Sequence, residues 1–324
     1  MIPPPAKTEE DSTGGDSRPR GVRETPATLL MLLPLMLWSC ATLRPKVFQS
    51  FQESVQAAQK GLETEMSRDV EWTREADVYR LAELKEAPLS HYMVKETSGY
   101  AWTMEAKPLY WTSRQTLRLL QDMNVAFFRY SQLLRTLAAG EESIEDFDRL
   151  AGVLRENVDR AQEHMKKQGA AAGVGAAAGV SVTTEGLRRF VLQRRAKDLS
   201  VALNDNQPWV DQYAAQCGRL TVIIRADLKS AYADQMEFLY LRWDDKRSPG
   251  RVTLTRSLFN LNDDYAQALE TLESLEGFYA RLPIAHAELA SIAARRQKSS
   301  PALAGLVESG ERIVRLSREL EKIK

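Results

Sequence analysis

The chain has 324 residues, with 44 Lys and Arg against 44 Asp and Glu, three histidines and two cysteines, Cys40 and Cys217. Balanced charge leaves no basic field to hold nucleic acid, and two cysteines cannot build a disulfide scaffold, so the fold must rest on a packed core. The length suffices for one large helical body or two smaller ones.

Residues 1–26 are rich in Pro, Gly and charge, and lead into the apolar run Ala27 to Cys40. A bilayer span needs about 20 residues, so this run is short for an anchor and has the length of a signal-peptide core. Leu37, Trp38, Ser39 and Cys40 resemble the lipobox of bacterial lipoprotein precursors, with an aliphatic residue at minus three and a small one at minus one. Trp38 departs from the small or hydroxylated residue usual at minus two.

The resemblance implies that Leu37 and Ser39 are read by a signal peptidase and that Cys40 carries a diacylglycerol and an N-acyl chain such as palmitate. Residues 1–39 would then be a signal peptide with a disordered N-terminal extension. The mature protein would be exported to the cell envelope, with the lipid bilayer as its partner through acylated Cys40. Ala41, in place of an Asp, implies the outer membrane facing the periplasm if the cell is Gram-negative. The plainer alternative is that Leu29 to Leu37 is a buried helix and Cys40 a core cysteine.

A tether over residues 40–46 is expected to lead into the body, 47–324. The first helix is expected from Val47 to about Lys85, because Phe48, Phe51, Val55, Ala58 and Leu62 recur at spacings of three and four. Pro88 stops that pattern. Ser90 to Trp111 is the least regular part, with Tyr92, Tyr100, Trp102, Tyr110 and Trp111 among Ser, Thr, Gly and Pro. Such aromatics on a loop suit contact with an envelope protein or a glycan, or pin a long connection to the bundle. A second helix, Ser113 to Ala139, places Leu120, Met123, Phe127, Tyr130, Leu134 and Leu137 on one seam. Gly140 ends it, and Ser143 with Asp146 reads as the cap of a third helix to about Gln168, antiparallel to the second across a short connection.

Gly169 to Val182 holds only Gly, Ala, Val and Ser and suggests an internal break over 168–183. As a helix it would extend about 21 Å, too little to cross a bilayer. It reads as a connector, or as an apolar segment that inserts into lipid, similar to the tongue of helical pore-forming toxins. Thr184 is expected to cap a helix to about Leu203, with Arg188, Arg189, Arg194 and Arg195 as a patch for anionic headgroups or a solvated face paired with acids. Asn206 and Pro208 mark a new start running to Trp243, with Val210, Tyr213, Cys217, Leu220 and Ile224 on one seam, so Cys217 reads as a packing residue. After the break at Asp244 to Gly250, Tyr265, Ala268, Leu272, Leu275, Tyr279 and Leu282 mark another helix. Pro283 interrupts it before a shorter helix to about Gln297, and Ser300 with Pro301 opens the last, whose apolar face carries Ile313, Leu316, Leu320 and Ile323.

No alternating strand pattern competes with these helices. His91, His164 and His286 stand apart in the sequence, and neither HExxH nor CxxC occurs, so no metal ligands are nominated. His286 and Glu288 give the H-x-E half of a zinc deaminase signature without its cysteines. No phosphate-binding glycine loop occurs, so neither cofactor nor catalytic residue is assigned. The expectation is an all-α, elongated antiparallel bundle of roughly six to eight long amphipathic helices, coiled-coil-like in its seams, following a signal peptide. Its expected role is a non-enzymatic structural or interaction module. A membrane-active protein using 169–182 and a hydrolase with carboxylates assembled across helices are the alternatives.

Overall fold

Seven helices and one small hairpin account for most of what the computed structural model describes, namely residues 44–83, 93–96, 99–102, 109–140, 143–168, 182–193, 196–244, 250–296 and 300–323. All lie in one unit, Thr42–Lys324. The helices are α1 (Pro45–Glu83), α2 (Leu109–Ala139), α3 (Ile144–Gln168), α4 (Glu185–Gln193), α5 (Ala196–Asp244), α6 (Arg251–Ala293) and α7 (Pro301–Ile323). They form an all-α helical bundle. The apolar seams read from the sequence are its core: Phe48 and Phe51 of α1, Phe127 and Tyr130 of α2, Cys217 and Leu220 of α5, and Leu275 and Leu282 of α6 are all buried.

Contacts along the helices set their directions. α2 and α3 are antiparallel neighbours across Gly140, whose left-handed φ of 76° ends α2. Gln207 reaches Pro283, Tyr232 reaches Asn262 and Trp243 reaches Thr255, so α5 and α6 are antiparallel. Arg281 with Ser309 and Gln267 with Leu316 set α7 antiparallel to α6. Trp72 meets Gln235 and Tyr79 stacks on Phe238, so α1 and α5 run the same way.

Several boundaries depart from the sequence reading. α1 starts on Pro45, which makes the last two residues of the expected tether helical; proline's fixed φ suits a first turn, where its missing N–H has no intrahelical partner to lose. The segment Ser90 to Trp111 contains an antiparallel hairpin, β1 (Met93–Glu96) with β2 (Gly99–Trp102), in register Met93 to Trp102 and Glu96 to Gly99. Strands of four residues are too short to announce an alternating pattern.

The largest corrections concern two prolines. Pro208 does not start a helix and Pro283 does not end one: α5 is 49 residues long with Pro208 inside it, and α6 is 43 residues long with Pro283 inside it. A proline removes one intrahelical hydrogen bond and crowds the preceding turn, at a cost of about 3 kcal/mol. Burial on both sides of each proline offsets that cost: Leu203, Trp209 and Val210 flank Pro208, and Leu282 and Ala285 flank Pro283. The helix expected from Thr184 to Leu203 is instead divided into α4 and the start of α5. Thr184 stands just before α4, its carbonyl accepting from the Arg188 N–H at 2.9 Å and its hydroxyl from Arg155 of α3.

The cap read at Ser143 forms, and Ser300, where the last helix is expected to open, caps it. The Ser143 hydroxyl accepts from the Asp146 N–H at 3.1 Å, and the Ser300 hydroxyl from the Leu303 N–H at 3.0 Å. Glu288 of α6 accepts from the Ser300 hydroxyl and from the Ala302 N–H, so its role is to cap α7 across the helix pair.

α1 and α7 approach closely where Gly61 faces Ile313; a Cβ on Gly61 would stand 1.9 Å from Ile313 Cγ2. Gly61→Ala is expected to destabilise the protein by about 1–3 kcal/mol in urea unfolding, the range for overpacking a core. Ile313→Ala in the same chain should recover part of that loss, and a strictly additive pair would contradict the contact.

Candidate functional site

The residues singled out in the sequence are placed unequally. Leu37, Ser39, Cys40, Tyr92, Arg194, Arg195 and the segment 169–181 lie outside the described residues. Tyr100 and Trp102 belong to β2, and Tyr110 and Trp111 to the first turn of α2, so four of the five aromatics sit on the hairpin and the helix that follows it. On α4, the Arg188 guanidinium donates twice to Asp148 of α3, at 3.0 and 3.3 Å, and Arg189 stands 4.0 Å from Glu185. This part of the basic patch is paired with acids.

Two of the three histidines acquire partners that sequence distance conceals. His164 on α3 stands 2.5 Å from Asp122 on α2, partly open to solvent. His286 on α6 is fully buried, with Nε2 2.7 Å from the Tyr130 hydroxyl of α2 and Nδ1 2.8 Å from Gln207 Oε1 of α5. The direction of the proton follows from Gln207. Its Nε2 donates to Asp211 at 2.6 Å and to the Pro283 carbonyl at 3.0 Å, which leaves Oε1 to accept from the His286 Nδ1–H. His286 Nε2 therefore accepts from Tyr130. Burial lowers the His286 pKa to about 3 and raises that of Tyr130, so both stay neutral. A sealed neutral imidazole with both nitrogens engaged ties α2, α5 and α6 together rather than serving as a base.

A second network lies at a neighbouring level. Asn124 Oδ1 accepts from the hydroxyls of Tyr213 and Tyr279, both at 3.0 Å, and its Nδ2 donates to the Leu120 carbonyl at 2.8 Å. Phe127 bridges the two networks, with its ring centroid 4.4 Å from that of Tyr213 and 5.5 Å from that of Trp209. Cys217 is buried beside these rings; burial raises its thiol pKa, which removes nucleophilic character and agrees with a packing role.

The third cluster holds buried carboxyl groups. Glu65 and Asp69 occupy adjacent turns of α1 and are only 3% and 2% exposed. Glu65 Oε1 and both carboxylate oxygens of Asp69 lack a hydrogen-bond partner. Asp227 of α5 adds its field to that of Glu65 at Asp69, and accepts from the Ser113 hydroxyl of α2 at 2.7 Å. Arg68 stands 3.8 Å from Glu65, too far for a hydrogen bond, and donates to the Asp264 carbonyl at 3.1 Å. Arg225, also on α5, is held 2.7 Å from Glu276. Desolvation outweighs the attraction of Arg68 and raises the Glu65 pKa to about 7; the Asp69 pKa is raised further above its ordinary value by burial and then by Asp227 and Glu65.

Three surface grooves are formed by described residues. One of about 590 Å³ lies between α1 and α7 around Ser54, Ala57, Gly310 and Arg315. Another, of about 430 Å³, lies between the ends of α5 and α6. The third, of about 230 Å³, lies at the start of α4. None of the three is lined by Glu65, Asp69 or Asp227. Among the described residues, no group of three or more His, Cys, Asp or Glu could hold a metal ion, and no helix is long and apolar enough to cross a membrane. Comparison with protein-family models, with curated proteins and with solved structures finds no match to the chain.

The carboxylate cluster gives stability a definite pH dependence. Folded, Glu65 keeps its proton to about pH 7; unfolded, it loses it near 4.5, so its contribution is complete below 4.5 and is lost as pH rises to 7. Glu65→Gln is expected to gain stability relative to the parent across that window, by on the order of 3 kcal/mol above it. Urea unfolding at pH 4.5 and pH 7.5 measures the difference, and an equal effect at both pH values would show that Glu65 ionises normally.

Proposed function

We propose that this protein is a lipid-anchored component of the cell envelope that acts as a non-enzymatic structural or interaction module. The observation that carries the non-enzymatic part is how the polar interior is used. Tyr130 and His286 bond to each other, and Asn124 to Tyr213 and Tyr279, across helices at buried positions, with only the half-buried Gln207 leading from His286 towards the surface. The lipid anchor rests on Leu37, Ser39 and Cys40 and on the signal-peptide length of the preceding run.

The aromatic segment is the proposed partner surface, because Tyr100 and Trp102 belong to a two-stranded hairpin joined to the bundle through Tyr110 and Trp111. Main-chain edges of short hairpins and their aromatic side chains suit an envelope protein or a glycan. A hydrolase reading would need its acids to meet water and substrate. Glu65 and Asp69 converge on α1, and their burial, with neither lining any of the three grooves above, speaks against it.

Two experiments test the reading. Cys40→Ser is expected to abolish incorporation of labelled palmitate and to leave residues 1–39 attached; a parent chain whose N-terminal peptide carries no acyl group would overturn the anchor. Replacing Tyr100 and Trp102 by Ser is expected to remove crosslinks to envelope partners, with urea unfolding of the variant separating a lost contact from a lost fold. Unchanged crosslinks would move the contact elsewhere.

A further inference from the structure

The end of the α5–α6 hairpin departs from the rest of the body. Between Gln235 and Leu261 none of the described residues is buried; Tyr79 near the end of α1 stacks on Phe238, and past that contact the ends of α5 and α6 form an exposed tip. Four large apolar side chains are exposed within it, Tyr240, Leu241, Val252 and Phe259, with Val252 73% and Phe259 66% open to solvent. Cations are interleaved with them. The Arg242 guanidinium lies 4.3 Å over the Phe238 ring and that of Arg251 4.4 Å over Trp243, while Arg256 stands with Val252 and Phe259 along the groove.

The charge is as uneven as the apolar exposure. In a chain of net charge zero, residues 239–260 carry five Lys and Arg against two Asp. A second copy of this chain would bring two positive tips together, which opposes a symmetric dimer at this surface. A protein interface concentrates apolar side chains at its centre and charge at its rim. Here guanidinium groups alternate with aromatic and aliphatic side chains, an arrangement suited to anionic headgroups above and acyl chains below. Snorkelling Arg stems would let the rings enter while the charges meet phosphate.

We propose that the α5–α6 tip, through Arg242, Val252, Arg256 and Phe259, binds the surface of an anionic phospholipid bilayer. This stands apart from acylation of Cys40. α5 runs parallel to α1, so the tip lies at the opposite end of α1 from Pro45. The 39 residues of α1 extend about 58 Å. A chain tethered at Cys40 would thus gain a second, separate contact, made on the same bilayer when the body lies along it.

The test is flotation of the full chain with vesicles of phosphatidylcholine alone and of phosphatidylcholine mixed with phosphatidylglycerol. The parent is expected to bind the anionic vesicles more tightly, with an advantage that shrinks as salt rises. Arg242→Gln with Arg256→Gln, and separately Val252→Ser with Phe259→Ser, should each weaken anionic-vesicle binding about tenfold or more. Binding to neutral vesicles, which reads the apolar run 27–40, should be unchanged, and Cys40→Ser should leave the anionic preference intact. The proposal is overturned if both tip variants bind anionic vesicles as the parent does, or if the parent binds the two vesicle types equally. It is also overturned if the tip variants abolish a concentration-dependent self-association while vesicle binding is unaffected. All four positions are exposed, and thermal unfolding of each variant separates a lost contact from a lost fold.

Discussion

The rest of the body depends on the hydrogen-bonded chain from Tyr130 through His286 to Gln207 and the Pro283 carbonyl. It joins α2, α5 and α6 at the level where two helices carry a proline, so the weakest turns of α5 and α6 are also the most heavily tied. A buried polar group left unpaired costs about 1–3 kcal/mol, so sliding any one of these helices by a turn would break several such bonds together. Apolar seams alone tolerate such a slip. The network therefore sets the register of a bundle whose Leu and Ala surfaces would otherwise pack in more than one way.

The carboxylates of α1 act in the opposite sense. Glu65 and Asp69 occupy core positions where burial outweighs the attraction of Arg68 for Glu65, and both carboxyl pKa values are raised above their ordinary range. His286 is held neutral by the same low-dielectric interior. The two effects have opposite signs in pH: the neutral histidine costs stability as pH falls from 6.5 towards 3, and the neutral glutamic acid costs it as pH rises from 4.5 towards 7. Stability thus balances two buried groups at different levels of the bundle.

The core and the end of the α5–α6 pair differ in how their side chains are covered. Helices α1, α2, α5 and α6 share a core around Phe51, Phe127 and His286, where every polar side chain of the network is satisfied. Beyond Gln235 the α5–α6 pair keeps Tyr79 of α1 stacked on Phe238, but none of its described residues is buried, and apolar and cationic side chains stay in solvent. Large apolar exposure costs stability and solubility, so an interaction at this tip offers a physical reason for it.

How much could be read from the sequence differs by interaction range. Helix existence, the seams through Phe127, Cys217 and Leu275, the stop at Gly140, the cap at Ser143 and the helix start at Ser300 and Pro301 are local, set by spacings of three and four and by turn chemistry, and the chain states them directly. Pro208 and Pro283 misled because local propensity puts a break where burial of the flanking residues holds the helix together. The hairpin within Ser90 to Trp111 escaped because its strands are too short to show a period. His164 with Asp122, and His286 with Tyr130 and Gln207, are separated by 42, 156 and 79 residues, and no pattern along the chain pairs them. By itself the sequence determined an all-α body and the apolar run ending at Cys40. Only the tertiary structure decided which polar groups are sealed, which carboxylates stand unpaired and which helix ends are left uncovered, because burial and pairing depend on neighbours that folding brings from distant parts of the chain.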